Sequence, residues 1–532
     1  KKYFSLNENN FDLINLNQKH RLIELFKKKS FNKYECLMHS ETNKSNSKEV
    51  FFKMSPLIDP VQYVIGKLNI NDDDLSKLPN LDTDITDRTN DDNHSAYTDG
   101  FFSYLSSQLL NEFNFIHGLD FYGSFLGIKN DYKFNVTEDL EYLVESDHFH
   151  NNKDVLFKLD NNFHDDLINF DTRTNKKRIK INQPKSSENN ILNLSDINDL
   201  KQLDSLFIQN NENDSKMELL FKTEITDNTK TCKTNDESSE CSSNSSNTKD
   251  DESESFSDSY DSESDSGSDL NSSDLSTATE DETNLVLPKY PVHLIALESC
   301  EQTFENLILK NDLTDSEWES AIFQIIISLI AYQKTFNFTH NDLHTSNIMY
   351  ISTDKPYFYY KVNNVHYKIQ TYGRLFKIID FGRAIYKFKG NLICSDSFES
   401  KGDAAGQYNI EPFFNDKKPR LEPNLSFDIC RLGCSIFDFI VDDLTAVDKI
   451  RSPIKKLIIS WCYDDKHRNI LYKTSGKERY PEFKLYKMIS RTVHNYIPSE
   501  VIQNNIFNKY VVSKKQIKSK TIINIDNLPC LC

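Results

Sequence analysis

The stretch His340-Asn-Asp-Leu-His-Thr-Ser-Asn347 stands between a run that is apolar almost all round, Trp318 to Gln333, and a short apolar run, Ile348 to Ile351. The first run predicts a buried helix and the second a strand, so the intervening residues form the loop that joins them. A His-x-Asp-x4-Asn pattern is weak by itself in a chain so rich in Asp and Asn. It does not stand alone. Downstream, Phe376-Lys-Ile-Ile-Asp-Phe-Gly382 supplies another strand, and that strand ends on Asp380. Strand ends that meet at one cleft bring Asp342, Asn347 and Asp380 together there.

Those three oxygen-bearing side chains suit one chemistry. Transfer of a γ-phosphoryl group needs a carboxylate to orient the attacking hydroxyl and accept its proton, and oxygen ligands to hold Mg²⁺ against the phosphates. Asp342 suits the first task, Asn347 and Asp380 the second. The bland alternative is that Asp342 and Asn347 cap turns and that Asp-Phe-Gly is a strand-to-loop bend.

Taken together, the two motifs resemble those of eukaryotic-like protein kinases, and the resemblance extends along the chain. Val50-Phe-Phe-Lys53 looks like the third strand of that fold, which implies that Lys53 holds the α- and β-phosphates. Leu297-Glu-Ser-Cys-Glu-Gln-Thr-Phe-Glu-Asn-Leu307 looks like the hinge and the helix after it, with Leu297 behind the adenine and Glu298 to Cys300 offering it backbone groups. Asp428-Ile-Cys-Arg-Leu-Gly433 looks like the start of the large buried helix whose aspartate ties down the catalytic loop. The resemblance implies ATP and Mg²⁺ as cofactors and a two-lobed α+β fold, with a small β-rich N-lobe and a larger α-helical C-lobe. With its Asn/Lys/Ile-rich composition and long insertions, the chain resembles the divergent kinases of large DNA viruses.

Several positions depart from the family pattern. No glycine precedes Gly66, so the Gly-rich loop over the phosphates has no recognisable counterpart ahead of Lys53. Asn341 replaces the arginine that pairs with a phosphorylated activation loop. His344 stands where a lysine near the γ-phosphate is usual, and a histidine there also resembles small-molecule kinases. Leu421-Glu-Pro423 is a loose substitute for Ala-Pro-Glu. The acidic partner of Lys53 has no obvious position, because counting back from the fourth strand lands on Ser106 or Ser107. Asp99, further up the same predicted helix, is the best candidate.

Composition bounds the rest. The chain has 532 residues, 36 Phe and 25 Tyr, enough to fill a sizeable core although the chain is hydrophilic on average. Residues 236 to 282 hold sixteen Asp and Glu against the single Lys249, so nearly all of the net charge of −18 belongs to that segment. This low-complexity Ser/Asp/Glu tract, residues 235–284, is expected to be disordered, since it has almost no apolar side chains to bury. The run Asn71 to Asn93 reads as a shorter polar loop, and Arg173 to Lys180 as a solvated basic turn. The ten cysteines show no zinc-finger spacing and read as free thiols. No run has the length of a signal peptide or a membrane span, which leads to the expectation of an intracellular protein, in host cytoplasm or virion if viral.

The expected organisation is an N-terminal lobe over residues 1–297 with an insertion over about 129–285, a C-terminal lobe over 298–510 with an inserted hairpin at 354–374, and a C-terminal tail over 511–532. A serine/threonine-protein kinase is the leading expectation, with a protein substrate and neither nucleic acid nor membrane as partner. The serines of the acidic tract are candidates for self-phosphorylation. A small-molecule kinase of the same fold and a catalytically weak pseudokinase scaffold remain as alternatives.

Overall fold

The computed structural model describes residues 20–30, 32–40, 45–68, 75, 77–79, 88–159, 283–517 and 521–532. The chain divides into one unit of residues 1–175 and 281–532 and a second of residues 176–280. The second lies wholly outside the described residues. So do the basic turn, nearly all of the acidic tract and most of the polar run 71–93.

The described part is a mixed α+β structure. Three antiparallel strands open it, β1 (His20–Ser30), β2 (Lys33–Ser40) and β3 (Ser45–Pro56). They continue a sheet with β4 (Phe121–Asn135), the short β5 (Lys158–Leu159) and β6 (Asn284–Glu298), in the order β1-β2-β3-β6-β4, with β5 on β6. The sheet curls, so that β1 returns towards β4. Alternation along β3 sets its two faces. Val50 and Phe52 enter a buried cluster with Cys36, Met38, Tyr122 and Ala296, so Phe51 and Lys53 emerge on the other face.

Helix α1 (Pro60–Val64) is capped by Asp59, and α2 (Ser95–Phe113) packs on the face from which Lys53 emerges. Strand β4 does not stop at residue 129, where an insertion was expected to begin. It stays paired with β6 as far as Asn135 opposite Asn284. Two short helices, α3 (Leu140–Glu145) and α4 (Asp147–Asn152), cover this extension, burying Leu143 and Phe149 against Tyr132, Tyr290 and Leu287.

The remainder centres on α6. After β7 (Gln302–Thr303) and α5 (Phe304–Lys310), helix α6 (Asp315–Phe336) starts in a capping box of Thr314 and Glu317. It ends at Asn337, whose φ of 48° makes a left-handed stop. From Trp318 to Tyr332 every residue is buried, as the unbroken apolar run predicts. Strands β8 (Ile348–Ser352), β9 (Tyr357–Val362), β10 (Val365–Gln370) and β11 (Arg374–Ile378) follow, with β8 between β7 and β11. The pair β9–β10 forms a hairpin within residues 354–374, turning at Asn363 and Asn364, both with positive φ.

The hairpin β12 (Ile385–Phe388) and β13 (Asn391–Cys394) precedes the buried helix α7 (Phe427–Ile440). Helices α8 (Pro453–Ser460), α9 (Lys484–Thr492) and α10 (Pro498–Val501) complete the helical part. The segment expected as a tail is part of the core. Strand β14 (Ile523–Asn524) runs parallel to β9, and Ile523, Ile525 and Leu528 are buried in the main apolar cluster with Tyr360 and Phe336. Among the described residues the eight cysteines are free, and no helix is long and apolar enough to cross a membrane.

Candidate active site

Three elements converge on Lys53. Its ammonium, carried by β3, lies 2.5 Å from Oδ2 of Asp99 on α2 and 2.7 Å from Oδ1 of Asp380, just beyond β11. The other oxygen of Asp99 accepts the backbone N–H of Phe381 at 2.9 Å, so one buried carboxylate ties α2 to both β3 and the Asp-Phe-Gly turn. Burial pushes the Asp99 carboxyl above its ordinary value, against the pull of Lys53. Asp380 goes the other way, to about 2, because Lys53 outweighs its burial. Burial alone would lower the Lys53 pKa, but the Asp380 and Asp99 carboxylates raise it, so the lysine stays charged.

Gly100 makes this geometry accessible. A Cβ there would meet Cε1 of His293 on β6 at 2.5 Å, so only glycine lets α2 approach the sheet closely enough. His293 in turn donates from Nδ1 to the carbonyl of Ala96 at 2.9 Å.

The loop after α6 is fixed from below. The carboxylate of Asp428, fully buried at the start of α7, accepts the backbone N–H groups of His340 and Asn341, each at 2.9 Å. His340 Nδ1 accepts the N–H of Asp342 at 3.3 Å, and its Nε2 lies 2.9 Å from the carbonyl of Ile379. The first contact leaves the ring proton on Nε2, which donates to Ile379 and joins the loop to the end of β11. Asn341, with φ at 64°, is buried and bonded to Thr339, to the carbonyl of Arg383 and to the hydroxyl of Tyr408. An amide network therefore holds the segment after Asp-Phe-Gly.

Asp342 is 24% exposed at its side chain. Its Oδ1 accepts the hydroxyl of Tyr486 at 2.8 Å, and Oδ2 lies 3.5 Å from Nη1 of Arg383. Asn347 donates from Nδ2 to the carbonyl of Asp342 at 2.9 Å and lies 3.0 Å from His344 Nε2. That amide has only hydrogens to offer, so His344 Nε2 is the acceptor. Burial lowers the His344 pKa, so the ring is neutral near pH 7 and differs in charge from a lysine. The backbone carbonyl of Asn347 accepts the N–H of Ile379 at 3.0 Å, which sets Asn347 beside Asp380.

Near the end of β6, Leu297 is 5% exposed, packed with Leu119, Phe121, Ile295 and Cys300. Glu298 ends β6, donates its N–H to the carbonyl of Asp120 at 2.9 Å and binds the buried ammonium of Lys377 through Oε2 at 2.6 Å. The carbonyl of Cys300 already accepts Lys33 Nζ at 2.8 Å. The β1–β2 hairpin turns at Asn32, whose carbonyl accepts the N–H of Phe52. Since Lys33 pairs with Phe51, this end of the hairpin lies level with Lys53. Glu422 is exposed and paired with Arg420 two residues away, so it anchors nothing distant.

The structure thus joins Lys53, Asp99 and Asp380 directly, and links Asp342, His344 and Asn347 to them through His340 and Ile379, while Leu297, Glu298 and Cys300 lie at the end of β6 and just beyond it. Sequence reasoning missed Arg383, Arg431 and Tyr486. Arg383 directly follows Asp-Phe-Gly and was open to notice, whereas nothing in the amphipathic run of α9 singles out Tyr486.

No protein-family profile matches the chain. A stretch of 88 residues is 40% identical to part of a probable serine/threonine-protein kinase of Dictyostelium discoideum. The matched stretch is 15% of this chain and only 7% of that protein, so the chain spans a small share of its relative. The similarity bears on the kinase part of the resemblance and not on the viral part.

Proposed function

We propose that the chain is an ATP-dependent serine/threonine-protein kinase with a two-lobed kinase fold. One observation carries this reading. Lys53 is held between a helix carboxylate and the aspartate of Asp-Phe-Gly, while Asp342 and Asn347 lie on a loop tied to the same turn through His340 and Ile379. A scaffold needs none of these five groups in register.

The donor set fits Mg²⁺ carried in on phosphates. Both hydrogen-bonding contacts of the Asn347 side chain use its nitrogen, which leaves an amide oxygen for a hard cation. Asp380 is 45% exposed at its side chain, with one oxygen bonded to Lys53. Among the described residues no group of three or more His, Cys, Asp or Glu is spaced to hold an ion unaided. That suits a cation which keeps several waters and takes one or two protein ligands.

Bound Mg-ATP supplies the phosphoryl group and a cation that offsets its charge. Lys53 binds phosphate oxygens, and Asp99 keeps its ammonium aimed into the cleft. Asp342 accepts a hydrogen bond from the acceptor hydroxyl and takes its proton as the new bond forms. His344, being neutral, positions Asn347 and adds no positive charge. Leu297 backs the base, and a base that binds the hinge carbonyl region displaces or shares Lys33 at Cys300. Covering of the phosphates falls to groups other than a Gly-rich loop.

The test is transfer of labelled phosphate from Mg-ATP by the purified chain, alone and with casein. Transfer to serine or threonine that vanishes in Asp342→Asn supports the proposal. A wild-type chain that neither transfers phosphate nor gains thermal stability with Mg-ATP refutes it.

A further inference from the structure

The side chain of Asp342 is not oriented by its own loop. Its hydrogen bond from a side chain comes from Tyr486 on α9, 144 residues away. The phenol oxygen also accepts Nε of Arg431 on α7 at 2.9 Å, and the Arg431 guanidinium lies 5.0 Å from the ring centroid. Arginine Nε can only donate, so the single phenolic proton must go to Asp342. Burial raises the Tyr486 pKa, with Asp342 acting in the same direction, so the phenol keeps that proton at neutral pH. The ring cannot swing freely. It stacks on Phe483 at 5.2 Å and 19°, and lies 6.0 Å from Phe427.

This arrangement takes up a task that the loop leaves open. The residue two beyond Asp342 is His344, and its Nε2 is spent on Asn347. A carboxylate that must meet an acceptor hydroxyl needs one oxygen fixed so that the remaining lone pairs point consistently. With Oδ1 bonded to Tyr486 and Oδ2 near Arg383, Asp342 can rotate about neither χ angle without losing a partner.

We propose that Tyr486 is a positioning residue for phosphoryl transfer, its hydroxyl relaying the orientation of Arg431 to Oδ1 of Asp342. The proposal rests on Asp342 being the base of the reaction proposed above. It makes α9 and α7 part of the reaction geometry through Tyr486 and Arg431.

The experiment compares wild type, Tyr486→Phe, Arg431→Gln and the double variant, with Mg-ATP and casein. Tyr486→Phe removes one oxygen and keeps the ring stack, so folding is retained, as a melting curve verifies. Its kcat is expected to fall roughly tenfold to a hundredfold, while the KM for Mg-ATP and the thermal shift with Mg-ATP stay within about twofold. Arg431→Gln is expected to lower kcat in the wild-type background and to have no further effect in Tyr486→Phe, because it acts through the lost hydroxyl. Full kcat in Tyr486→Phe overturns the proposal, as do multiplicative losses in the double variant. Mass spectrometry adds a third overturning result: phosphate on Tyr486 with casein turnover unchanged in Tyr486→Phe makes the phenol an acceptor. A wild-type chain without transfer or thermal shift removes the kinase reading itself, and the proposal with it; transfer by wild type with an unaffected Tyr486→Phe removes only the proposal.

Discussion

Oδ2 of Asp99 lies 2.5 Å from the ammonium of Lys53, and the Asp99 side chain is only 3% exposed. A carboxylate so deep in the fold depends on its cation. Lys53→Met is therefore expected to abolish phosphate transfer and also to destabilise the chain, by about 3–5 kcal/mol, because it strands a buried charge. Changing Asp99 to Asn in the same molecule removes that charge and is expected to restore much of the stability but none of the transfer. Urea denaturation of the single and double variants, beside the transfer assay, checks both statements. Additive losses of stability would show that the two groups are not coupled.

Asp428 gives the second prediction. Its two oxygens accept two backbone amides of the loop, and asparagine offers only one acceptor oxygen in the same space. Asp428→Asn leaves one buried N–H unpaired, an expected loss of about 1–3 kcal/mol. Transfer is expected to fall further than the melting temperature suggests, since His340 to Asp342 lose their anchor while Lys53 and Asp380 keep theirs. Hydrogen exchange at His340 and Asn341 reads the freed amides directly.

The positions around the cleft were unequally legible in the sequence. Asp342, Asn347 and Asp380 lie within short motifs between apolar runs, so local pattern was enough to bring them together. Lys53 followed from the resemblance of Val50-Phe-Phe-Lys53 to the third strand of the kinase fold. Asp99 emerged only by elimination, since the usual position of a glutamate falls on Ser106 and Ser107. Those serines serve packing instead, with Ser106 bonded to Tyr332 and Ser107 to Asp120. The absence of glycine before Gly66 was plain in the sequence, and the register of Lys33 with Phe51 brings this end of the β1–β2 hairpin level with Lys53. The C-terminal segment reads as a tail because its scattered apolar residues show no period, and β9 provides the surface on which Ile523, Ile525 and Leu528 are buried. Tyr486 was hidden for a related reason. Its role rests on a contact between α9 and a loop far away in the chain, and no local periodicity encodes it.

A third prediction concerns acid. His117 is fully buried, with Nδ1 at 2.8 Å from the carbonyl of Phe376 and Nε2 at 2.9 Å from the hydroxyl of Tyr360. Burial pushes its pKa down to about 3, although the Phe376 carbonyl opposes the shift. His293 is lowered to about 4 for the same leading reason. An unfolded histidine takes up its proton near pH 6.5, whereas these two stay neutral in the folded chain well below that. The unfolded state then binds more protons, so stability falls as pH drops from about 6.5 towards 3, by up to about 1.4 kcal/mol per pH unit per histidine. His117→Asn is expected to make the dependence between about pH 6 and pH 4.5 shallower by one proton. Urea midpoints across that range decide it, and an unchanged slope would mean that His117 is protonated in the folded chain.

The last prediction separates chemistry from nucleotide binding at two carboxylates that share one cleft. Asp342 contacts Tyr486 and Arg383, whereas Asp380 contacts Lys53 and lies beside Asn347 through Ile379. Changing each to Asn keeps size and removes charge, so the two variants are expected to fail differently. Asp342→Asn is expected to abolish transfer and to keep the stabilisation by Mg-ATP. A ligand that binds only the folded state adds RT ln(1 + [L]/Kd), about 2.7 kcal/mol at a hundredfold excess over Kd. Asp380→Asn is expected to lose transfer together with most of the part of that shift that depends on Mg²⁺, because its carboxylate is the charged oxygen donor beside Asn347. Melting curves with ATP plus Mg²⁺, and with ATP plus EDTA, isolate that part for each variant. Retained transfer in Asp342→Asn would move the base elsewhere in the cleft, and an undiminished Mg²⁺-dependent shift in Asp380→Asn would remove Asp380 from the cation's ligands while leaving its contact with Lys53 intact.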